Sequence, residues 1–309
     1  MKHNTQSFLS IIGFISICFI IFTSFSSLKE RLSTEKNKSN ESDLVNLPQV
    51  VKPIPQVTKP SFAGEPMPLN MDTRERLDRE MSVNSYWQSA TLLNVKNANK
   101  YFPIIEPILA EMGVPDDFKY LAVAESSLRN VQSSAQAKGF WQFRKLAAKE
   151  LGLEVNDEVD ERYHIEKATR AAAGYLTKLH HRFGSWANAA AAYNVGPTNF
   201  AKTLKQQKES SFYNVNVNDE TGRYLFRLIA IKEIMKNPQA FGFYIEPNDL
   251  YEKIDNVYYV EVDKSISDWA AFAKHNGVSY RMLKYYNPWL RSGKLTVLKK
   301  KYLIKLPRN

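Results

Sequence analysis

Apolar and polar positions follow different rhythms along the chain. Residues 8–25, FLSIIGFISICFIIFTSF, carry no charge, with Lys2 and His3 before them and Lys29, Glu30 and Arg31 after. A charge-free run of this length lies at the border between an export signal and a spanning helix. Ser24-Phe25-Ser26 offers a small-x-small cleavage site, whereas Cys18 has no small residue before it, which argues against lipid attachment there. Residues 1–27 are therefore expected to be a signal peptide or membrane anchor, and the rest of the chain to be exported. Periodicity then vanishes. Residues 28–70 start polar and gather Pro48, Pro53, Pro55, Pro60, Pro66 and Pro68, a composition that predicts an extended linker without a core.

From 71 to 245 apolar residues recur with helical spacing. RERLDREM (74–81) opens the region. IIEPILAEM (104–112) follows Pro103 at an expected helix start, and Gly113 is an expected stop. Pro115, Asp116 and Asp117 open the next helix, where acidic residues suit the positive end. KATRAAAGYLTKLHHRF (167–183), the Ala-rich stretch from Trp186 to Asn194 closed by Gly196-Pro197, and YLFRLIAIKEIM (224–235) predict further helices. From about 250 the rhythm changes. VYYVEV (257–262) reads as a strand, SISDWAAFAKHN (265–276) and SYRMLKYYN (279–287) as helices, and KYLIKLP (301–307) as a closing strand. The expected fold class is mainly α, with helices over 71–245 and a small β-α-α-β unit over 250–309.

Composition narrows the chemistry. Of 309 residues, 44% are hydrophobic and 24% charged, and the net charge is +10, which suits a polyanionic partner. In an exported chain that partner is envelope material rather than nucleic acid. The one cysteine is Cys18, and the five histidines form no metal-binding spacing. No disulfide, metal centre or cofactor is expected.

One position breaks the helical pattern. Phe118, Leu121, Glu125 and Leu128 are spaced by steps of 3, 4 and 3 and share one helix face. A carboxylate on a face that should be buried has its pKa raised by desolvation, and a carboxyl kept protonated near neutral pH suits a general acid. The bland alternative is a buried Glu paired to an arginine or capping a neighbouring helix.

The neighbours of Glu125 decide between these. Glu125-Ser126, then Gly139-Phe140-Trp141-Gln142 after Ser133-Ser134, then Ala192-Tyr193-Asn194, and then Glu220-Thr221-Gly222-Arg223-Tyr224 occur in that order. Together they resemble the soluble lytic transglycosylase family, whose catalytic domain is lysozyme-like and cleaves bacterial peptidoglycan. DERYHIEKATRAAAGYL (160–176) resembles the membrane-bound lytic transglycosylase D type. The resemblance covers about 71–245. It implies that Glu125 is the catalytic acid and base, and that Ser126, Ser133, Gly139, Trp141, Gln142, Tyr193, Asn194 and Tyr224 form the substrate-binding set, with Tyr193 beside the Glu125 carboxyl. It also implies a periplasmic location and peptidoglycan glycan strands as partner. Two positions depart from the family pattern. Gln136 stands before Ala137 where glycine is usual, a place that asks for glycine's backbone freedom, and Phe143-Arg144 follows Gln142.

Two rival readings are carried forward. A hydrolytic muramidase needs a second carboxylate, for which Asp160 and Glu161 are the candidates, although a loop position bound to Arg162 or a helix end is the expected use of both. An inactive glycan-binding scaffold would not require a buried acid. The C-terminal unit resembles a LysM module, which binds N-acetylglucosamine-containing glycans. Its usual Gly-Asp-Thr-Leu opening is replaced by Asp263-Lys264-Ser265-Ile266, and Lys299, Lys300 and Lys301 stand where a Pro-Gly turn is usual. A structural cap on the catalytic domain is the competing use of this unit.

Overall fold

A computed structural model describes residues 53–308. The apolar segment at 8–25, Cys18 and the start of the expected linker lie outside the described residues. No described helix is long and apolar enough to cross a membrane.

Strands β1 (Ser61–Phe62) and β2 (Glu65–Pro66) form a hairpin whose turn places Ala63 and Gly64 at φ 55° and 80°. Both turn residues are left-handed, as a two-residue hairpin turn requires. This stretch belongs to the expected linker, yet Phe62 and Met67 are buried in the main core. The Phe62 ring meets Phe118 edge-on at 5.1 Å, and the Glu65 carboxylate accepts from the Trp186 and Ala187 amides at 2.7 and 2.9 Å. A Pro-rich composition here hides one apolar residue on each side of a tight turn, which is enough to dock the chain.

Ten helices follow. They are α1 (Met71–Tyr86), α2 (Gln88–Glu111), α3 (Lys119–Ser126), α4 (Lys145–Glu150), α5 (Ile165–Phe183), α6 (Trp186–Val195), α7 (Pro197–Gln207), α8 (Asp219–Lys236), α9 (Trp269–His275) and α10 (Tyr280–Tyr286). Helix α8 is the axis of the main body and packs on α1, α3 and α6. Its apolar residues face all directions, with Tyr224, Phe226, Leu228, Ile229 and Ile231 buried, as a central helix requires. Buried alanines at 187 and 189–192 let α6 lie close against its neighbours. Helix α2 corrects one expectation. It does not start at Pro103 but runs through both Pro103 and Pro107. The two prolines lie four apart on the exposed side, where water can serve the carbonyls they leave unbonded.

In the C-terminal unit β3 (Val257–Val262) and β4 (Tyr302–Pro307) pair antiparallel, Val260 opposite Ile304. One sheet face, with Val262, Tyr302, Ile304 and Leu306, packs with Trp269 and Leu283 of the two helices. Helix α9 is shorter than the expected 265–276, because Ile266 pairs with Leu295 and Asp268 caps the helix by accepting from the Ala270 amide. Val159 and Tyr163 of the helical body belong to this same core. The Asp160 amide donates to the Trp289 carbonyl at 2.9 Å, and Arg291 donates to Glu158 at 2.8 Å. The unit is joined to the helical body by a shared core and backbone bonds.

Candidate active site

Glu125 is the penultimate residue of α3. The helix stops sharply because Ser127 and Leu128 both adopt left-handed backbone, φ 53° and 54°. Leu128 therefore lies beyond the helix rather than on its face, though it is fully buried. The early stop leaves Glu125 at the helix end, half-buried and still reached by solvent.

Its partner is Tyr224 of α8. The Tyr224 hydroxyl donates to Glu125 Oε1 at 2.6 Å. Burial pushes the Glu125 carboxyl above the ordinary range. The Tyr224 hydrogen bond and the Arg227 charge pull it down without cancelling that push, and the Glu220 charge adds to it. The same burial, with the Glu125 charge, holds the Tyr224 phenol well above its usual range. Tyr224 therefore remains a donor. Tyr193 differs from expectation. Its hydroxyl donates to the Trp141 carbonyl at 2.6 Å rather than to Glu125. It stands close enough that burial and then the Glu125 charge raise its pKa.

The loop after α3 supplies the other wall. Gly139 sits at φ 78°, and a Cβ there would lie 1.9 Å from the Arg162 carbonyl oxygen, so only glycine fits. Gln142 takes φ 49°, and its side-chain amide donates to the Gly139 and Val131 carbonyls at 2.7 and 3.2 Å. Gln136 does adopt the backbone that glycine would favour, φ 63°. Ser133 Oγ accepts from the Ala137 amide at 3.1 Å and closes that turn. Arg162 locks the loop from behind, donating to Phe143 at 3.2 Å while its guanidinium grips Asp160 at 2.7 and 2.8 Å.

Two expected binding residues point elsewhere. Trp141 is fully buried and donates to Thr169 at 3.0 Å, because its flat apolar ring fills the space between the loop and α5. Ser126 is buried, with its hydroxyl against the Ala122 and Phe140 carbonyls at 2.9 and 3.0 Å. It ties the loop to the helix rather than facing a ligand. Asn194 is half-buried at the end of α6.

Asp160 and Glu161 are in use as structural ions. Asp160 pairs with Arg162. Glu161 accepts from the Glu154 amide at 2.8 Å and pairs with Lys167 and Lys300. Burial pushes its carboxyl up, but those donors together hold it below the ordinary range. Among the described residues, no group of three or more His, Cys, Asp or Glu side chains is placed to hold a metal ion.

Behind Glu125 lies a cluster that sequence reasoning missed. Glu80 of α1 is fully buried and pairs with Arg79 at 2.8 Å, Arg223 at 2.7 Å and Arg227 at 3.5 Å. Its signal was present. Leu77, Glu80 and Met81 share a helix face, the same kind of interruption that singled out Glu125, and Arg223 and Arg227 lie one turn apart on α8.

Residues 102–216 match the family model described as transglycosylase SLT domain, and residues 258–309 match the soluble lytic transglycosylase C-terminal LysM-like domain. The chain is 25% identical over 245 residues to the membrane-bound lytic murein transglycosylase D of Escherichia coli K12, covering 76% of this chain and 52% of that protein. The same protein from E. coli O6:H1 matches to the same extent. The chain thus spans about half the length of the curated relatives it matches. A solved structure of the lytic transglycosylase Slt from Pseudomonas aeruginosa is similar over 50% of this chain and 27% of that one, at 17% identity and a TM-score of 0.36, a likeness too loose to argue from. Over residues 102–216 the chain is thus similar to transglycosylase SLT domains, and over 258–309 to the LysM-like domain of soluble lytic transglycosylases.

Proposed function

We propose that this protein is a peptidoglycan lytic transglycosylase. It cleaves the β-1,4 bond between N-acetylmuramic acid and N-acetylglucosamine and leaves 1,6-anhydro-muramic acid ends, in wall turnover or remodelling. The observation that carries this reading is Glu125, a carboxyl whose pKa burial pushes upward and which Tyr224 aims through a 2.6 Å hydrogen bond.

The chemistry needs one group acting twice. Protonated Glu125 gives its proton to the glycosidic oxygen as the bond from C1 breaks. The C6 hydroxyl of the same muramic residue then attacks C1, and its proton returns to the Glu125 carboxylate. The acid is restored and no water is consumed. A tethered hydroxyl has a high effective concentration, so no second carboxylate is required to activate a nucleophile. Asp160 and Glu161 are tied up in ion pairs, which supports this route over the hydrolytic pair. The substrate N-acetyl group helps to stabilise charge at C1. Tyr224 orients the acid, and Gln142 and Asn194 line the sugar path, with Tyr193 bracing the loop through Trp141. Residues 1–27 direct the chain to the envelope, and the periplasm is where its substrate lies.

Mass spectrometry of purified peptidoglycan digested by residues 28–309 tests the reading. Fragments with 1,6-anhydro-muramic ends from this protein, and none from its Glu125→Gln variant, are the expected result. Reducing muramic ends overturn the non-hydrolytic route. Fragments that persist in Glu125→Gln overturn the role of Glu125.

A further inference from the structure

Glu80 of α1 is fully buried, and no step of the proposed chemistry uses it. A carboxylate out of reach of water must be held by cations. Its Oε1 accepts from Arg79 at 2.8 Å and from Arg223 at 2.7 Å, and its Oε2 accepts from Arg227 at 3.5 Å. Arg79 belongs to the same helix. Arg223 and Arg227 belong to the N-terminal half of α8.

These two arginines bracket Tyr224, which donates to Glu125 at 2.6 Å. Residues four apart lie on one helix face, so a single carboxylate grips α8 at two points a turn apart. Arg76, also on α1, adds a third hold. Its guanidinium donates to the Gly222 carbonyl at 2.5 Å and lies 4.3 Å over the Phe226 ring. Positions 222, 223, 226 and 227 are thereby fixed against α1, and the direction in which Tyr224 leaves the helix follows from them.

The arginines around Glu80 are not equivalent. Arg227 makes the longest of the three bonds. Burial pushes the Glu125 carboxyl up, and Arg227 is the arginine whose charge draws it back. One guanidinium thus answers to two carboxylates. Released from Glu80, it would find Glu125 as its next partner. The other charged and titratable groups around Glu125 are engaged elsewhere or lie in water. Tyr193 of α6 is turned to the Trp141 carbonyl. Helix α2 brings neutral Asn97 to the Ser127 carbonyl, while its Lys96 lies over Tyr251 and its Lys100 bonds Tyr285. Asp116 and Asp117, before α3, pair with Lys119 and Lys232. Glu220 of α8 and Arg129 of the following loop are exposed, where salt and water screen them.

We propose that Glu80 is a positioning residue for the reaction at Glu125. By holding Arg223 and Arg227 it fixes the aim of Tyr224, and it keeps the Arg227 guanidinium from an ion pair that would lock Glu125 as an anion. The inference rests on the reading of Glu125 as the catalytic acid.

The test follows the Glu125 carboxyl itself, by NMR titration of the full chain carrying carboxyl-labelled glutamate, with the signal assigned by its absence from Glu125→Gln. The pH profile of fragment release from peptidoglycan is measured on the same proteins. Glu80→Gln keeps the shape and removes the charge. Arg227 is then drawn to Glu125. An opposite charge within about 4–6 Å lowers a carboxyl pKa by roughly one pH unit or more, so the titration midpoint and the alkaline limb should both move down by that amount. The lost aim of Tyr224 should lower kcat roughly tenfold or more. A residue that served packing alone would lower kcat without moving the midpoint. Arg227→Gln leaves Glu80 with Arg79 and Arg223, so it keeps the fold, and its midpoint should rise. In the double variant Glu80→Gln has no arginine left to release towards Glu125, and its midpoint should match that of Arg227→Gln. A Glu80→Gln midpoint that stays or rises overturns the proposal, as does a double variant well below Arg227→Gln. An Arg227→Gln midpoint that fails to rise overturns it even where Glu80→Gln does not fold. Unmoved midpoints with anhydro fragments from the parent remove the role of Glu80 and leave the reaction. Shifted midpoints with no fragments from the parent leave the link from Glu80 through Arg227 to Glu125 standing and remove the reaction.

Discussion

Glu125 is pulled in two directions, and the balance sets how it responds to pH. Burial favours the neutral acid, while the Tyr224 hydroxyl and the Arg227 charge favour the anion. The reaction needs the acid form at the start, so the rate falls as pH rises through the Glu125 pKa. Tyr224→Phe removes the hydrogen bond that stabilises the anion. The pKa therefore rises further, and the alkaline limb of the rate profile moves to higher pH. At the same time the carboxyl loses its aim, and kcat should fall roughly 10–100-fold, the scale of a small misplacement of a reacting group. A pH profile of anhydro-fragment release checks both effects, and a limb that moves to lower pH contradicts the assignment of Tyr224. At this scale the sequence shows which side chains break the apolar pattern more readily than what each one touches. The 3-4 spacing of Phe118, Leu121 and Glu125 set a carboxyl among apolar positions, but spacing says nothing about partners from other helices. Tyr193 and Tyr224 are chemically alike, and the packing of α8 on α3 alone decides which reaches the carboxyl. Trp141 sits within a motif of binding residues, yet its ring is the piece that seals the loop.

Elements position the site through one strained turn. The loop between α3 and α4 bends at Ser127, Leu128, Gln136, Gly139 and Gln142, all in the left-handed region. A non-glycine residue held there costs about 1–3 kcal/mol when its backbone is sparsely populated, so the surrounding bonds must hold the turn. The Arg162–Asp160 pair and the Gln142 amide supply them. Gly139→Ala places a methyl against the Arg162 carbonyl, a backbone atom that cannot swing aside. The variant is expected to lose about 2–4 kcal/mol of stability, from overpacking and the unfavourable backbone together. Its cleavage should be abolished even where it remains folded, since moving Arg162 moves Gln142. Denaturant unfolding paired with the digestion assay separates the two losses. This turn was only partly readable beforehand: the departure at Gln136 marked one position of positive φ, but Ser127, Leu128 and Gln142 give no compositional cue to it. The prolines of α2 misled in the opposite sense. A single Pro103 signals a start, but two prolines on one exposed stripe let the buried stripe of Ile105, Ile108 and Leu109 carry the helix through. Strands β3 and β4 were legible nearly to the residue because a period of two is unambiguous when one face is buried.

At the scale of the whole molecule, the C-terminal unit packs as a component of the helical body, with Val159 and Tyr163 in its core. Modules of this size often act as beads whose removal leaves their neighbours intact. Here Val159 and Tyr163, from the segment between α4 and α5, are 1% and 6% exposed and share one core with Trp289, Leu290 and Tyr302. The same segment carries Asp160 and Arg162, the brace of the active-site loop. Glu166 adds a charged joint. Burial pushes its carboxyl up, but His164 and Lys305 outweigh that and hold it at about 2. Its stabilisation is therefore present at neutral pH and is lost only in strong acid. Ending the chain at residue 250 would expose both apolar side chains and strip Lys305 from Glu166. Each apolar side chain returned to water costs about 1.5–3 kcal/mol, and in a body of this size 1 kcal/mol moves the midpoint by roughly 2–4 °C. The truncated chain is expected to melt at least about 6 °C lower and to cleave peptidoglycan poorly even with Glu125 in place. An unchanged melting temperature with full activity would mean that the unit is an independent bead. Restoring the unit in trans as residues 250–309 should recover little at micromolar concentration, because a separate fragment lacks the high effective concentration that one chain gives the Val159–Leu290 bridge.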